Sequence, residues 1–435
     1  TAIARAAPPR RRAAAPPRRR AAAPHLMSSQ NEHAGKRLRA PFDRFIVDGF
    51  NFCRPDVRHY FLTHAHGDHT CGLHATFDIG EIYCSTLTAR MLRATLGVKP
   101  KLLRTIDVGE TVEIEAACVP CGADGAAAGS YKSARVTALD AGHCPGALLF
   151  LFEDVATGHR ALHTGDCRAS EAVVAAAVRA LRPAAPASAP APTPSEPLVD
   201  VLYLDTTYAD ARWSFPPQEE ALRLLARVVA EELAREPKTL FVVGSYEIGK
   251  EKAIDAVVRA SGGRALVPPR RAMSLRLCGW WDDALHTEAD AADVAVHVAP
   301  MSSAGADAHA TMAALLEAQG GRYAAVVSLR PTGWAHVRTR ETPRVWAENE
   351  GRTRVYGVAY SEHSSFPELQ ALVGALRPRL LVPTVNAETR EARERLQGVF
   401  AHLCDVKSDR RRLDWHFGGG ASAAASSSAA AGPLA

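Results

Sequence analysis

The sequence predicts an α/β fold from three observations. Short apolar runs of strand length, VLYL (201–204), LFVV (240–243), AAVV (324–327) and LLVP (380–383), alternate with helical stretches. Strand followed by helix, repeated, is the pattern of sheets covered by helices. One helix start is written out: Ser365 is an N-cap, Pro367 stands in the first turn, and Glu368 completes a capping box. Finally, 435 residues at 47% hydrophobic and 23% charged supply two or three domains with sizeable cores. No run of about 18 uninterrupted apolar residues exists to cross a membrane, so no membrane contact is expected. Nine scattered cysteines, an odd number, point to a reducing compartment.

The chain opens on low complexity. The unit APPRRRAA occurs at 7–14 and again at 15–22, and residues 1–35 read as a disordered arm. Its composition fits a nuclear-import signal, an organellar transit segment, or an inert tail, with Met27 just ahead of the first ordinary sequence. The arm also distorts the charge balance. Of the net +5, seven charges are arginines within residues 1–31, which leaves the remainder at −2. Contact with nucleic acid must therefore come from a local groove. A Pro/Ala/Ser segment at 183–197 reads as an extended loop, and the Gly/Ala/Ser-rich end, 418–435, as a flexible tail.

The chemistry concentrates after one apolar strand, in HYFLTHAHGDH (59–69). His64, His66, Asp68 and His69 place four metal ligands within six residues, a set of imidazoles and a carboxylate suited to zinc. H-x-H-x-D-H arises by chance in about one chain in a thousand of this composition. Further candidates recur at strand ends: His143 in AGHCPG (141–146), Asp166 in HTGD (163–166), and His363 in YSEHSS (360–365). This inventory fits one or two zinc ions. His64, His66 and His143 belong to the first, Asp68, His69 and His363 to the second, with Asp166 between them. Such a clamp suits in-line hydrolysis of a phosphodiester.

At these residues the chain resembles the β-CASP group of metallo-β-lactamase-fold nucleases. Within that group it is similar to the DNA cross-link repair branch that contains Artemis and Apollo. The matching strings are Val47-Asp48, FLTHAHGDH (61–69), His143, HTGD (163–166), LDTTY (204–208), GSYEIGKE (244–251), RPTGW (330–334), YSEHSSF (360–366) and PTVN (383–386). The resemblance implies an αββα sandwich with an inserted β-CASP domain. Residues 36–212 are then the first part of the sandwich, 213–327 the insert and 328–417 the second part. It implies catalytic roles for Asp68, Asp166, Asp205 and His363, with Asp48 supporting the histidines. Val385 stands where DNA-acting members carry Val and RNA-acting relatives carry His.

The function implied is a zinc-dependent DNA nuclease of the nucleus, a 5′-phosphate-directed 5′-to-3′ exonuclease in interstrand cross-link repair or end processing. An organelle is the alternative compartment if the arm is a transit segment. DNA with a free 5′-phosphate is the expected partner of a monomer. The anion site is expected at Ser361, Ser364 and Ser365, where a capped helix offers backbone N–H groups and a positive dipole end, with Thr384, Asn386 and Lys250 as lesser contributors. Alternative readings are a DNA endonuclease or hairpin opener, an RNA-processing nuclease, a small-ester or thioester hydrolase, and a non-catalytic scaffold. Cys118-x-x-Cys121 has no second pair and reads as two ordinary thiols. Trp280-Trp281 reads as a core edge ahead of a base stack, and Arg270-Arg271 either as phosphate contacts or as a solvated loop.

Overall fold

In a computed structural model, residues 36–115, 132–182, 196–304, 308–336, 344–349 and 352–405 are described. The Arg-rich arm, Cys118 and Cys121, most of the Pro-rich insert and the C-terminal tail lie outside them. Among the described residues no helix is long and apolar enough to cross a membrane.

Four short parallel strands form the first sheet: β1 (Phe45–Val47), β2 (His59–Phe61), β3 (Glu81–Cys84) and β4 (Leu103–Thr105). Alternating side chains send Phe45, Val47, Phe61 and Tyr83 to one face and Ile46, Tyr60 and Ile82 to the other. Helix α1 (Thr86–Leu96), capped by Ser85 and ended by Gly97, covers the second face with Ala89 and Leu92. A larger sheet follows: β5 (Thr111–Glu115), β6 (Ser133–Asp140), β7 (Leu148–Asp154), β8 (Arg160–His163) and β9 (Val201–Leu204), with α2 (Glu171–Leu181) before β9. Its inner face, with Val136, Phe150, Phe152 and Tyr203, packs against the first sheet.

The chain then builds a separate layer system. Helix α3 (Gln218–Arg235) leads to β10 (Thr239–Ser245), α4 (Glu251–Ser261), β11 (Arg264–Leu266), α5 (Pro269–Leu277), β12 (His286–Thr287), β13 (Val294–Pro300), α6 (His309–Ala318), β14 (Ala325–Pro331), β15 (Arg344–Asn349) and β16 (Thr353–Val358). These strands make one seven-stranded sheet in the order β12-β11-β13-β10-β14-β16-β15, parallel except for β15. Phe241 and Val243 of β10 face α3, α4 and α5, whereas Leu240 and Val242 face α6. A strand buried on both faces must be apolar throughout, which is why LFVV was legible.

Helix α7 (Phe366–Leu376), strand β17 (Leu380–Pro383) and α8 (Arg390–Phe400) return to the first body. β17 adds in parallel beside β9, giving the order β17-β9-β8-β7-β6-β5. α2, α7 and α8 cover the outer face through Val173, Leu369, Leu372, Val373 and Phe400. Helix, sheet, sheet and helix are thus stacked in that order, with the seven-stranded unit inserted between β9 and β17. The boundary expected at residue 327 falls inside β14. The inserted sheet runs to residue 358, because β14 pairs with both β10 and β16 and its buried pattern continues through Ser328 and Leu329.

One buried ion pair ties α3 to that sheet. The Arg354 Nε donates to Glu232 Oε2 at 2.7 Å and the Tyr356 hydroxyl to Glu232 Oε1 at 2.6 Å, with both Glu232 and Arg354 buried. Removing one partner strands a charge in the interior, so Glu232→Ala should lower stability by about 3–5 kcal/mol, read as a fall in the urea midpoint.

Candidate metal centre

Each ligand candidate sits where a strand ends. β2 runs into Leu62 and Thr63, and the Thr63 carbonyl accepts from Leu148 N at 2.9 Å, so the histidine-rich turn begins where the two sheets meet. Asp166 follows β8 after Gly165, whose φ is +52° and whose missing Cβ would lie 2.6 Å from the Thr63 side chain. Only glycine fits that approach. His143 lies in the turn after β6, held by Gly142 N donating to Asp140 Oδ1 at 2.9 Å. His363 precedes α7, and its loop is pinned by Ser364 N donating to the Cys167 carbonyl at 2.8 Å.

These turns bring five imidazoles together. His64 Nε2 lies 2.9 Å and His143 Nε2 3.2 Å from His66 Nδ1. Asp166 Oδ2 is 3.2 Å from His69 Nε2, 3.8 Å from His64 Nε2, and 3.9 Å from His143 Nε2 and His363 Nε2. The ligand atoms of His64, His66 and His143 lie within 4.8 Å of one another, as do those of His64, His69 and Asp166 and those of His143, Asp166 and His363.

The far nitrogen of every ring is bonded, and this fixes which nitrogen offers its lone pair. His66 Nε2 donates to the Ile248 carbonyl at 3.0 Å, and His143 Nδ1 to the Glu362 carbonyl at 2.9 Å. Thr63 Oγ1 donates to Asp48 Oδ2 at 2.7 Å, so it accepts from His64 Nδ1 at 3.0 Å. Asp48 Oδ2 also holds His69 Nδ1 at 2.7 Å, and Asp205 Oδ2 holds His363 Nδ1 at 2.8 Å. His64 Nε2, His66 Nδ1 and His143 Nε2 therefore face one another as three lone pairs, an arrangement that repels unless a cation lies between them. The donor set fits a divalent metal of the zinc type. His64, His66 and His143 would hold one ion and His69 and His363 a second, with Asp166 in reach of both sets.

The electrostatics agree. Burial, together with the neighbouring histidines, drives the His64 imidazole well below its usual pKa, and burial with His363 beside it lowers His143 to about 3. For His363 burial favours the neutral ring, but Asp205 and Asp166 outweigh it and raise the pKa to about 9. Burial likewise opposes charge on Asp166, yet His69 and His363 hold the carboxyl well below its usual range.

Asp68 stands at the rim, its side chain 80% exposed and its Oδ2 3.6 Å from His69 Nε2. Asp205 is buried behind His363 and also accepts from Cys167 N and Thr207. It positions the ring. The expected serine anion site is not open. Ser364 Oγ donates to the Cys167 carbonyl, Ser361 Oγ to the His363 carbonyl, and both N and Oγ of Ser365 to Glu368. Phe366 N is taken by the Trp213 carbonyl. The start of α7 thus spends its donors on building the loop. Lys250 is buried as well, 3.4 Å from Glu362 Oε2. Thr384 donates to the Leu204 carbonyl, whereas Asn386 is exposed beyond β17.

Arg271 is buried and donates to the Tyr246 and Gly249 carbonyls and to Glu251, so it holds a loop and tracks no phosphate, while exposed Arg270 pairs with Glu247. Trp280 and Trp281 are half-buried against the inserted core. Sequence reading missed Cys144, whose sulfur joins the His64, His66 and His143 group, and Arg168, which bonds the Ser361 carbonyl and Glu368. Their adjacency to His143 and Asp166 was the available signal.

Comparison with known proteins places this site in a family. A sequence profile described as "DNA repair metallo-beta-lactamase" matches residues 283–389, which include His363 and β17. DNA cross-link repair protein SNM1 of Arabidopsis thaliana is 35% identical over 368 residues, covering 83% of this chain and 68% of that one. The chain belongs to the DNA repair metallo-β-lactamase family. Other family relatives include DNA cross-link repair 1A protein of Homo sapiens, 30% identical over 86% of this chain and 33% of its own. The 5′ exonuclease Apollo of Danio rerio is also 30% identical, over 76% of this chain and 48% of its own. The chain thus spans about two thirds of the plant relative and a third of the human one.

Two measurements check the centre. Asp48→Ala removes the acceptor for His69, and the ion held through His69 should bind about 10- to 100-fold more weakly in competition with a chelating dye. The His363 proton competes with metal, so affinity for that ion should rise with pH and level off above about 9. Unchanged affinity between pH 7 and 9 would contradict the assignment.

Proposed function

We propose that the chain is a zinc-dependent DNA nuclease of DNA repair that digests from a 5′-phosphorylated end as a monomer in the nucleus. The observation that carries the reading is the convergence of four imidazole nitrogens on the Asp166 carboxylate, with His66 beside them and each ring bonded on its far side. Family membership supports the substrate class, since relatives are named for DNA cross-link repair and for 5′ exonuclease activity.

Bound divalent ions would supply an activated water and neutralise charge on the phosphoryl oxygens. The chain's own groups do the rest. Asp166 lies between the two ligand sets and spaces them. Asp48 and Asp205 keep His69 and His363 in one tautomer. Asp68, the exposed carboxylate at the rim, is free to turn inward as a strand enters or to take a proton from the attacking water. Asn386, at the end of β17 and next to the β9 end that carries Asp205, is the contact we assign to the terminal 5′-phosphate, with Thr384 holding the turn beneath it.

End-labelled single strands test the reading directly. A chelator should abolish digestion and added zinc restore it. Asp166→Ala should lower the rate by more than about a thousandfold, and activity unchanged in that variant would refute the metal mechanism. A 5′-hydroxyl strand should be cut more slowly than its 5′-phosphate twin, whereas equal rates with internal products would favour an endonuclease. Matched RNA should be the poorer substrate.

A further inference from the structure

Four large apolar side chains are exposed among the described residues, and two are aromatic: Tyr246 at 54% and Trp334 at 55%. Both lie at the metal centre, not scattered over the surface. The Tyr246 ring is 5.9 Å from His66, and Trp334 is 4.8 Å from Tyr208, which in turn is 6.2 Å from His363. His66, His143 and His363 complete a continuous file of rings at 5.0 and 4.7 Å. The file begins and ends in an open aromatic face, with the metal ligands between.

The topology explains the placement. Tyr246 follows β10 and Trp334 follows β14, neighbouring parallel strands of the inserted sheet. From β10 the chain moves to β11 on one side, and from β14 to β15 and β16 on the other. Loops that leave adjacent strand ends in opposite directions open a crevice between them, the general place for a ligand in such sheets. Trp334 is braced from behind, and Tyr246 is anchored through its backbone. Trp334 stands edge-on to Trp213 at 86° and leans on buried Tyr208, and a Cβ on Gly333 would strike Tyr208 at 2.6 Å. The Tyr246 carbonyl is held by Arg271 and Ser245. Braced rings with a free face lose little entropy on stacking, and every nucleobase presents a π-face to them.

We propose that Tyr246 and Trp334 are two base-stacking platforms that seat nucleobases of a single strand on the flanks of the metal centre. The proposal rests on the nuclease reading above and adds the residues that hold the bases. It makes binding sequence-tolerant yet dependent on the presence of bases near the cut.

The test uses the whole chain and a 5′-phosphorylated phosphorothioate strand, with binding read by fluorescence anisotropy and stacking by quenching of 2-aminopurine placed at successive positions. Tyr246→Leu and Trp334→Leu should each weaken binding about tenfold and relieve the quench, whereas Tyr246→Phe and Trp334→Phe, which keep a ring, should restore both. A strand made abasic at the quenched position should lose the same factor with the unaltered chain and nothing further with the leucine variant. Leucine variants that bind as tightly as the unaltered chain, or an abasic series without effect, would overturn the platforms even if digestion persists. Failure of cutting with base-dependent binding intact would sink the nuclease reading and leave the platforms standing.

Discussion

A carboxylate with almost no access to water, faced by four imidazole nitrogens, is the constraint on which the rest of this molecule depends. Asp166 cannot be buried as an anion without compensation, because desolvating an unpaired charge costs several kcal/mol even after relaxation. The compensation comes from groups delivered by distant parts of the chain, each held by a bond on its outer side. His66 is held by a carbonyl of the inserted unit, His363 by Asp205 and His69 by Asp48. The rings are aimed by the protein's own groups, and the cost of aiming them is met by folding.

Some of that cost is visible in the backbone. Asp48 and Lys250 are non-glycine residues in the left-handed region, at φ of 51° and 66°. Such conformations cost of order 1–3 kcal/mol each and persist only when their surroundings fix them. Asp48 is fixed by Thr63 and His69, and Lys250 by its N–H donating to Glu362 Oε1 at 2.5 Å. Gly249 beside it has φ +94°, and a Cβ there would meet Glu362 at 2.8 Å. The inserted unit and the sandwich are locked together at the point where two ligands are oriented.

Much of this was legible in the sequence because it is local. β9 and β17 coincide with VLYL and LLVP, and the cap of α7 is where Ser365 and Glu368 put it. The histidine-rich turn announces a metal by density alone. What sequence could not give is direction. Ser361, Ser364 and Ser365 read as an anion cradle, yet their hydroxyls serve protein carbonyls and Glu368, because a loop that delivers a buried ligand must first satisfy its own polar groups. Lys250 and Arg271, each open to two readings in the chain, are governed by the same constraint. Their positive ends are spent inside the protein on Glu362 and Glu251.

The insertion of the seven-stranded unit between β9 and β17 also orders events during synthesis. His64, His66, His69, His143 and Asp166 leave the ribosome long before His363, which lies almost two hundred residues after Asp166. A nascent chain in between holds only part of the constellation. Until they emerge in turn, Ile248 and Glu362 are not there to orient His66 and His143. A product truncated before residue 363 is thus disarmed by its own architecture.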